Sequence, residues 1–157
     1  MKLTLSQLEQ YLSKAAWILK GPVDASDFKA YIFPLLFFKR ISDIYDEEYK
    51  IALEESGGDK EYAALDDFHR FVIPKGCHWK DVRETTVNIG LSLEKAFRGI
   101  EQENQNFLHG IFGDAQWSNK EKLSDKILID LIEHFSKYIL SNANVEADML
   151  GNAYEYL

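Results

Sequence analysis

Apolar residues recur every three or four positions through the first twenty residues of the chain, the spacing of one helical face. Thr4 and Gln7 stand just before this pattern at the spacing of a capping box. Gly21 and Pro22 follow it, a residue suited to a left-handed turn and one that cannot continue a helix. We therefore predict a first helix that ends before Gly21, with Trp17 beside its apolar face and in the core. The apolar positions are Leu5, Leu8, Leu12, Ala15, Ala16 and Leu19.

The next helical pattern runs from Ala25 to about Glu55 and is apolar almost all round its first half. A helix of that kind belongs in the centre of a domain, with the other elements packed around it. Asp24 is the expected N-cap. Pro34 lacks a backbone N–H, so we expect it to kink this helix or split it in two. Residues 56–59 (SGGD) are expected to end it.

Residues 60–85 follow no regular period. Residues 62–67 are compatible with a short helix. Residues 68–73 alternate weakly and precede Pro74, which favours a short strand or an extended segment. A second strand to pair with it is not evident, so we expect at most a minor β-hairpin, followed by a short helix from Trp79.

The second half of the chain predicts helices over about 86–103 and 124–140, separated by a loop with one helical turn at 107–112. A last helix begins near Glu146 and reaches Leu157 without a stop signal, so we expect the chain to be a fragment. The predicted fold is all-α, a helical bundle forming a single domain over residues 1–157. A chain of this length, 46% apolar, suffices for one core.

The formal net charge is −8, from 26 acidic and 18 basic side chains. An acidic body repels phosphate, which argues against binding by bulk electrostatics. The balance reverses locally between His69 and Arg83, so Lys75, Lys80 and Arg83 are the best candidates for contact with nucleic acid. Lys39 and Arg40 are weaker candidates, since they could simply project from the end of an apolar run.

The longest apolar run, residues 30–38, is about half of the roughly 20 residues that a spanning helix needs, so no membrane contact is expected. The single cysteine, Cys77, suits a reducing cytoplasm, the expected location.

Candidate chemistry within the chain is weak. The nine glycines never take the dinucleotide-binding spacing, so no cofactor site is expected. Cys77 and His78 with His69 lack the second ligand pair of a structural zinc site, so no metal is expected. Cys77 could form a nucleophilic pair with His109 or His134, but nothing in the sequence orients them, and no catalytic residue is expected.

The three tryptophans could stack on bases, and Trp79 is the most interesting because basic residues surround it. Core or surface anchoring remains the more frequent role for such residues.

Several stretches in order resemble the opening of the methylation (M) subunits of type I restriction–modification systems. The resemblance lies in residues 24–29 (DASDFK), 39–43 (KRISD), 71–74 (FVIP), 79–83 (WKDVR), 89–90 (IG), 96–101 (AFRGIE) and 148–157 (DMLGNAYEYL). Each piece is short, but the ordered set covers almost the whole chain.

The resemblance implies a full-length DNA adenine-N6 methyltransferase that uses S-adenosylmethionine. It also implies a specificity subunit, a second M subunit, a translocating restriction subunit and double-stranded DNA as partners. The family's glycine-rich cofactor motif and Asn-Pro-Pro-(Tyr/Phe) motif are both absent from these 157 residues. The chain would then be the N-terminal helical domain, without catalytic residues.

Two functions are compatible with such a domain. In the first, it clamps DNA through its basic edge while a base is extruded elsewhere, and it contacts neighbouring subunits. In the second, it is a purely protein-binding helical assembly module with no direct DNA contact.

Overall fold

The computed structural model describes residues 2–149, in which seven α-helices and two 3₁₀ turns are complete, with no strand among those residues. This confirms the all-α prediction. The 3₁₀ turns are Ala25–Asp27 and Asp66–Phe68. The helices are α1 (Leu5–Leu19), α2 (Phe28–Glu55), α3 (Lys60–Ala63), α4 (Trp79–Arg83), α5 (Ile89–Glu103), α6 (Gln105–Leu108) and α7 (Asp125–Phe135).

Helix α1 begins with the predicted capping box. The Gln7 backbone N–H donates to Thr4 Oγ1 at 3.1 Å, and the Thr4 N–H donates to Gln7 Oε1 at 2.9 Å. The apolar face of α1 packs against α7 and α2. Trp17, expected in the core, is instead 71% exposed. It stands two residues after buried Ala15, about 200° round the helix from that face, so it points away from the core.

Helix α2 is the central helix, as predicted, and its core includes Phe38, whose ring packs against those of Trp79, Phe97 and Phe112. Of the two outcomes expected at Pro34, a kink or a split, the split does not occur, since α2 continues through that residue. Proline removes only one donor, and Ala30, whose carbonyl loses its helical partner, is exposed to water.

The segment before α4 contains no β-strand, although residues 71–74 run without regular structure as an extended prediction allows. The side chain of buried Asn104 takes the place of a neighbouring strand. Its Oδ1 accepts from Val72 N at 2.9 Å, and its Nδ2 donates to Val72 O at 2.8 Å. One amide thus satisfies both backbone groups of Val72, which explains why no hairpin is needed.

Helix α7 ends at Phe135, five residues before the predicted end at Leu140. Residues 136–140 leave the helix because polar side chains of α2 bind their backbone, as described below. Residues 147–149 are helical, and the rest of the predicted last helix lies outside the described residues.

Candidate nucleic-acid interface

Lys75 lies at the tip of a tight turn. Cys77 N donates to Pro74 O at 3.0 Å, and Gly76 has φ +83°, a conformation that glycine adopts without strain. Buried Cys77 anchors the far side of the turn, so Lys75 projects into solvent.

Helix α4 carries the other two candidates from this stretch. Buried Trp79 fixes the helix: its backbone N donates to Ser42 Oγ at 3.1 Å, and its Nε1 donates to Ser136 Oγ at 2.9 Å. Trp79 is therefore a core anchor rather than a platform on which a base could stack. Lys80 and Arg83 lie on the outer, exposed side of the same helix.

Two adjoining grooves connect these cations. Lys75 and Lys80 line a groove of about 600 Å³ that also contains Tyr45 and Tyr49 of α2. Lys80 and Arg83 line a second groove, of about 630 Å³. Lys75, Lys80 and Arg83 thus lie along one continuous surface, which we call the basic edge.

The three cations of the basic edge differ in availability. The guanidinium of Arg83 binds Glu133 of α7 in a bidentate pair, with Nε–Oε2 2.7 Å and Nη2–Oε1 3.0 Å. This hydrogen bonding raises the pKa of Arg83 and lowers that of Glu133. Within residues 2–149, neither Lys75 nor Lys80 makes an ion pair, so both ammonium groups are open to an anion.

Acidic groups also lie near the basic edge. Asp46 and Asp81 line the same groove as Lys75 and Lys80. Asp81 caps the start of α4, since its Oδ2 accepts from His78 N at 3.0 Å. The edge is therefore a row of cations along an acidic body, suited to a few phosphate contacts rather than to strong binding alone.

Lys39 does not belong to this edge. It is 4% exposed, its ammonium pairs with the Asp43 carboxylate one turn along α2, and it donates to Tyr138 O at 2.9 Å. Burial raises the pKa of Asp43, and the charge of Lys39 opposes that shift. In this structure Lys39 cannot reach a phosphate.

Arg40 is half-buried and is also occupied by the protein. Its guanidinium donates to Leu140 O at 2.7 Å, to Val145 O at 3.0 Å and to Asn142 Oδ1 at 2.5 Å. Burial lowers its pKa. The structure therefore brings together three of the five predicted residues and places Lys39 and Arg40 elsewhere.

Carboxylates of α2 complete this second set. Asp43 Oδ2 accepts from Leu140 N at 2.7 Å, and Glu47 Oε2 accepts from Ala143 N at 3.1 Å. Lys39, Arg40, Asp43 and Glu47, which we call the polar row of α2, thus hold the backbone of residues 138–145. The signal in the sequence was the four-residue spacing of Lys39 and Asp43 inside an apolar stripe, the spacing of a helical ion pair.

The candidate metal and nucleophile residues of the sequence have the following surroundings. No group of three or more His, Cys, Asp or Glu residues within residues 2–149 could hold a metal ion. Burial raises the pKa of the Cys77 thiol, which disfavours a nucleophilic thiolate. His134 is engaged with Tyr11 O at 2.7 Å through Nε2. In the same residues, no helix is long and apolar enough to cross a membrane.

The described residues thus form a helical domain with an exposed basic edge and a segment, residues 138–145, that the polar row of α2 holds in place. A family model described as the HsdM N-terminal domain matches residues 8–135, and the chain belongs to that family. No curated protein matches the sequence.

Among solved structures, the fold is similar to the type I restriction–modification system methyltransferase subunit from Streptococcus thermophilus. The TM-score is 0.72 and the identity 24%, over 98% of this chain and 38% of that one. The chain thus spans well under half the length of that relative.

Proposed function

We propose that this chain is the N-terminal DNA-clamping and subunit-assembly domain of a type I restriction–modification M subunit. The full-length protein would be a site-specific adenine-N6 DNA methyltransferase, with S-adenosylmethionine and the target base bound in the part that follows. Membership of the HsdM N-terminal family and the fold shared with the Streptococcus thermophilus subunit support this assignment.

The observation that carries the DNA-contacting role is the basic edge, where exposed Lys75 and Lys80 form no ion pair within residues 2–149. A base-flipping enzyme must hold the duplex while one base is extruded, and phosphate contacts from a separate domain supply part of that hold. Because the domain carries a formal charge of −8, the specificity subunit, the second M subunit and the catalytic domain must supply most of the attraction to double-stranded DNA. The restriction subunit would join the same assembly.

The assignment to a methyltransferase is tested by the coding sequence beyond Leu157. A glycine-rich cofactor motif followed by Asn-Pro-Pro-Tyr or Asn-Pro-Pro-Phe is expected. A stop codon immediately after Leu157 would contradict the assignment and leave a freestanding helical domain.

The DNA contact is tested in the full-length enzyme by replacing Lys75, Lys80 and Arg83 with Glu and titrating duplex DNA at several salt concentrations. We expect weaker binding, and a salt slope smaller by about 0.9 for each phosphate that the variant no longer neutralises. The matched control reverses three exposed lysines that line neither groove of the basic edge, Lys14, Lys60 and Lys137.

The control matters because any charge reversal lowers the overall attraction to DNA. If both triple variants bind like the native enzyme, or if both weaken equally, the basic edge has no specific role. The alternative, a purely protein-binding helical assembly module without direct DNA contact, would then be preferred.

A further inference from the structure

A third groove, apart from the two of the basic edge, lies between the C-terminal half of α2 and residues 139–144, with a volume of about 790 Å³. We call it the acidic groove. Its size falls in the range of sites that enclose a small ligand or a few side chains of a partner. The residues used below are Asp46, Glu47, Lys50, Ile51, Glu54 and Ile139.

The acidic groove is preformed, because the polar row of α2 fixes its far wall. Asp43 binds Leu140 N and Glu47 binds Ala143 N, at 2.7 and 3.1 Å. A partner would therefore meet an ordered surface, which lowers the entropic cost of binding.

The apolar part of the groove consists of two exposed isoleucines. Ile51 of α2 is 51% exposed and Ile139 of the opposite wall is 60% exposed. Covering such side chains with apolar groups is favourable by about 25 cal/mol per Å².

The charged part of the groove is acidic. Four acidic residues, Asp43, Asp46, Glu47 and Glu54, line the groove together with one basic residue, Lys50. This composition repels phosphate, so the acidic groove favours a different class of ligand from the basic edge. Asp46 lines both surfaces and marks their boundary on α2.

We propose that the acidic groove docks a basic amphipathic segment of another subunit. Apolar side chains of that segment would cover Ile51 and Ile139, while Lys or Arg side chains would pair with Asp46 and Glu54. A second copy of this chain is a poorer match, because its own charge of −8 opposes approach to an acidic surface. The inference rests on the assembly part of the proposed function and names its surface.

The first test titrates the 157-residue chain with an amphipathic helical peptide of leucine and lysine, using calorimetry. Native protein is expected to bind it, and the variant Ile51→Asn/Ile139→Asn, which adds no charge, to bind roughly tenfold more weakly, as expected when central apolar anchors are removed. The matched control, Val87→Asn/Leu91→Asn, changes two apolar side chains that are each 59% exposed and lie outside the groove, and it should bind like native.

A second variant, Asp46→Lys/Glu54→Lys, guards against a folding defect, since it leaves the isoleucines in place. This variant should also bind the leucine–lysine peptide more weakly, and the binding should depend less on salt concentration. A leucine–glutamate peptide of the same pattern should not bind native protein. Equal affinity of native and both groove variants for the basic peptide, or no binding to native protein, would overturn the inference.

Light scattering of the isolated chain tests whether a second copy of the chain occupies the groove instead. Self-association that Ile51→Asn/Ile139→Asn abolishes would show that the groove takes a second copy and would overturn the proposal.

Co-expression of the full-length protein with its specificity and restriction subunits tests the docking in the assembly. Loss of a subunit from the purified assembly in the groove variants supports the inference. Intact assembly of these variants would overturn it and leave the proposed function standing, whereas failure of the native protein to assemble would contradict the proposed function itself.

Discussion

Two pairs of basic residues have opposite surroundings in this fold. Lys39 and Arg40 lie in the central helix and are held by the protein's own carboxylate and carbonyl groups. Lys75 and Lys80 lie on a turn and on a short helix, exposed and without ion pairs within residues 2–149.

The difference shows that the availability of a basic side chain for an anion depends on its surroundings in the fold more than on its neighbours in the sequence. A buried ammonium needs a carboxylate and hydrogen bonds to offset its desolvation, and Lys39 has both. An exposed cation with no partner keeps its charge available for a phosphate. The first pair therefore positions the chain, while the second pair is proposed to contact DNA.

The largest expected effect comes from breaking the buried pair. Lys39→Met leaves Asp43 buried without its counter-ion, so the free energy of unfolding should fall by about 3–5 kcal/mol. Urea denaturation measures the change. The double variant Lys39→Met/Asp43→Leu should recover part of the loss, because no buried charge is left unpaired. A single variant as stable as native would mean that Lys39 is not buried as described.

Arg40→Ala, which changes the other basic residue held by the protein, should have the next largest effect on stability. It removes the donors to Leu140 O and Val145 O and should cost about 2 kcal/mol, the order expected for hydrogen bonds to a charged group. Hydrogen exchange should accelerate at residues 138–145 before the rest of the domain. Unchanged exchange there would contradict the positioning role.

The Arg83–Glu133 pair tests the other side of the comparison. Both side chains are about half exposed, at 49% and 52%, so a double-mutant cycle on stability should give a coupling of only about 0.5 kcal/mol. Glu133→Gln should at the same time free Arg83 and tighten DNA binding by the full-length enzyme slightly. Weaker DNA binding by Glu133→Gln would contradict the placement of Arg83 on the basic edge.

The pH dependence of stability tests the burial of His78, which lines the same groove as Lys75 and Lys80. Burial lowers the pKa of His78, and of His134, below the ordinary value of 6.5. The unfolded chain therefore binds more protons than the folded one as pH falls through 6.5, and the folded state loses stability. Urea midpoints at pH 7.5 and 5.5 should show this loss, reduced in His78→Gln. An identical loss in that variant would exclude His78 as a contributor.

Strong helical periodicity was enough to predict α1, the central α2 and the start of α7, because those faces bury against one core. The early end of α7 was missed because Asp43, 97 residues away in sequence, captures Leu140 N. The role of Asn104 was missed for the same reason. Its two hydrogen bonds to Val72 join residues 32 apart in sequence, and no local pattern predicts such a contact.

The candidate site was predictable only in part. The excess of basic residues between His69 and Arg83 predicted Lys75, Lys80 and Arg83 as candidates, and all three are exposed in the fold. Lys39 and Arg40 stood in an apolar stripe, and whether such residues project or turn inward depends on what packs across the helix. The acidic groove was invisible in sequence, because its two walls lie about 90 residues apart.

Hydrogen exchange of the full-length enzyme with and without duplex DNA is the decisive experiment for the division between the two sets of cations. We expect backbone amides of residues 75–83 to gain protection on DNA binding, while residues 138–145, already held by the polar row of α2, do not. Protection confined to residues 138–145, or none at 75–83, would contradict the proposed role of the basic edge.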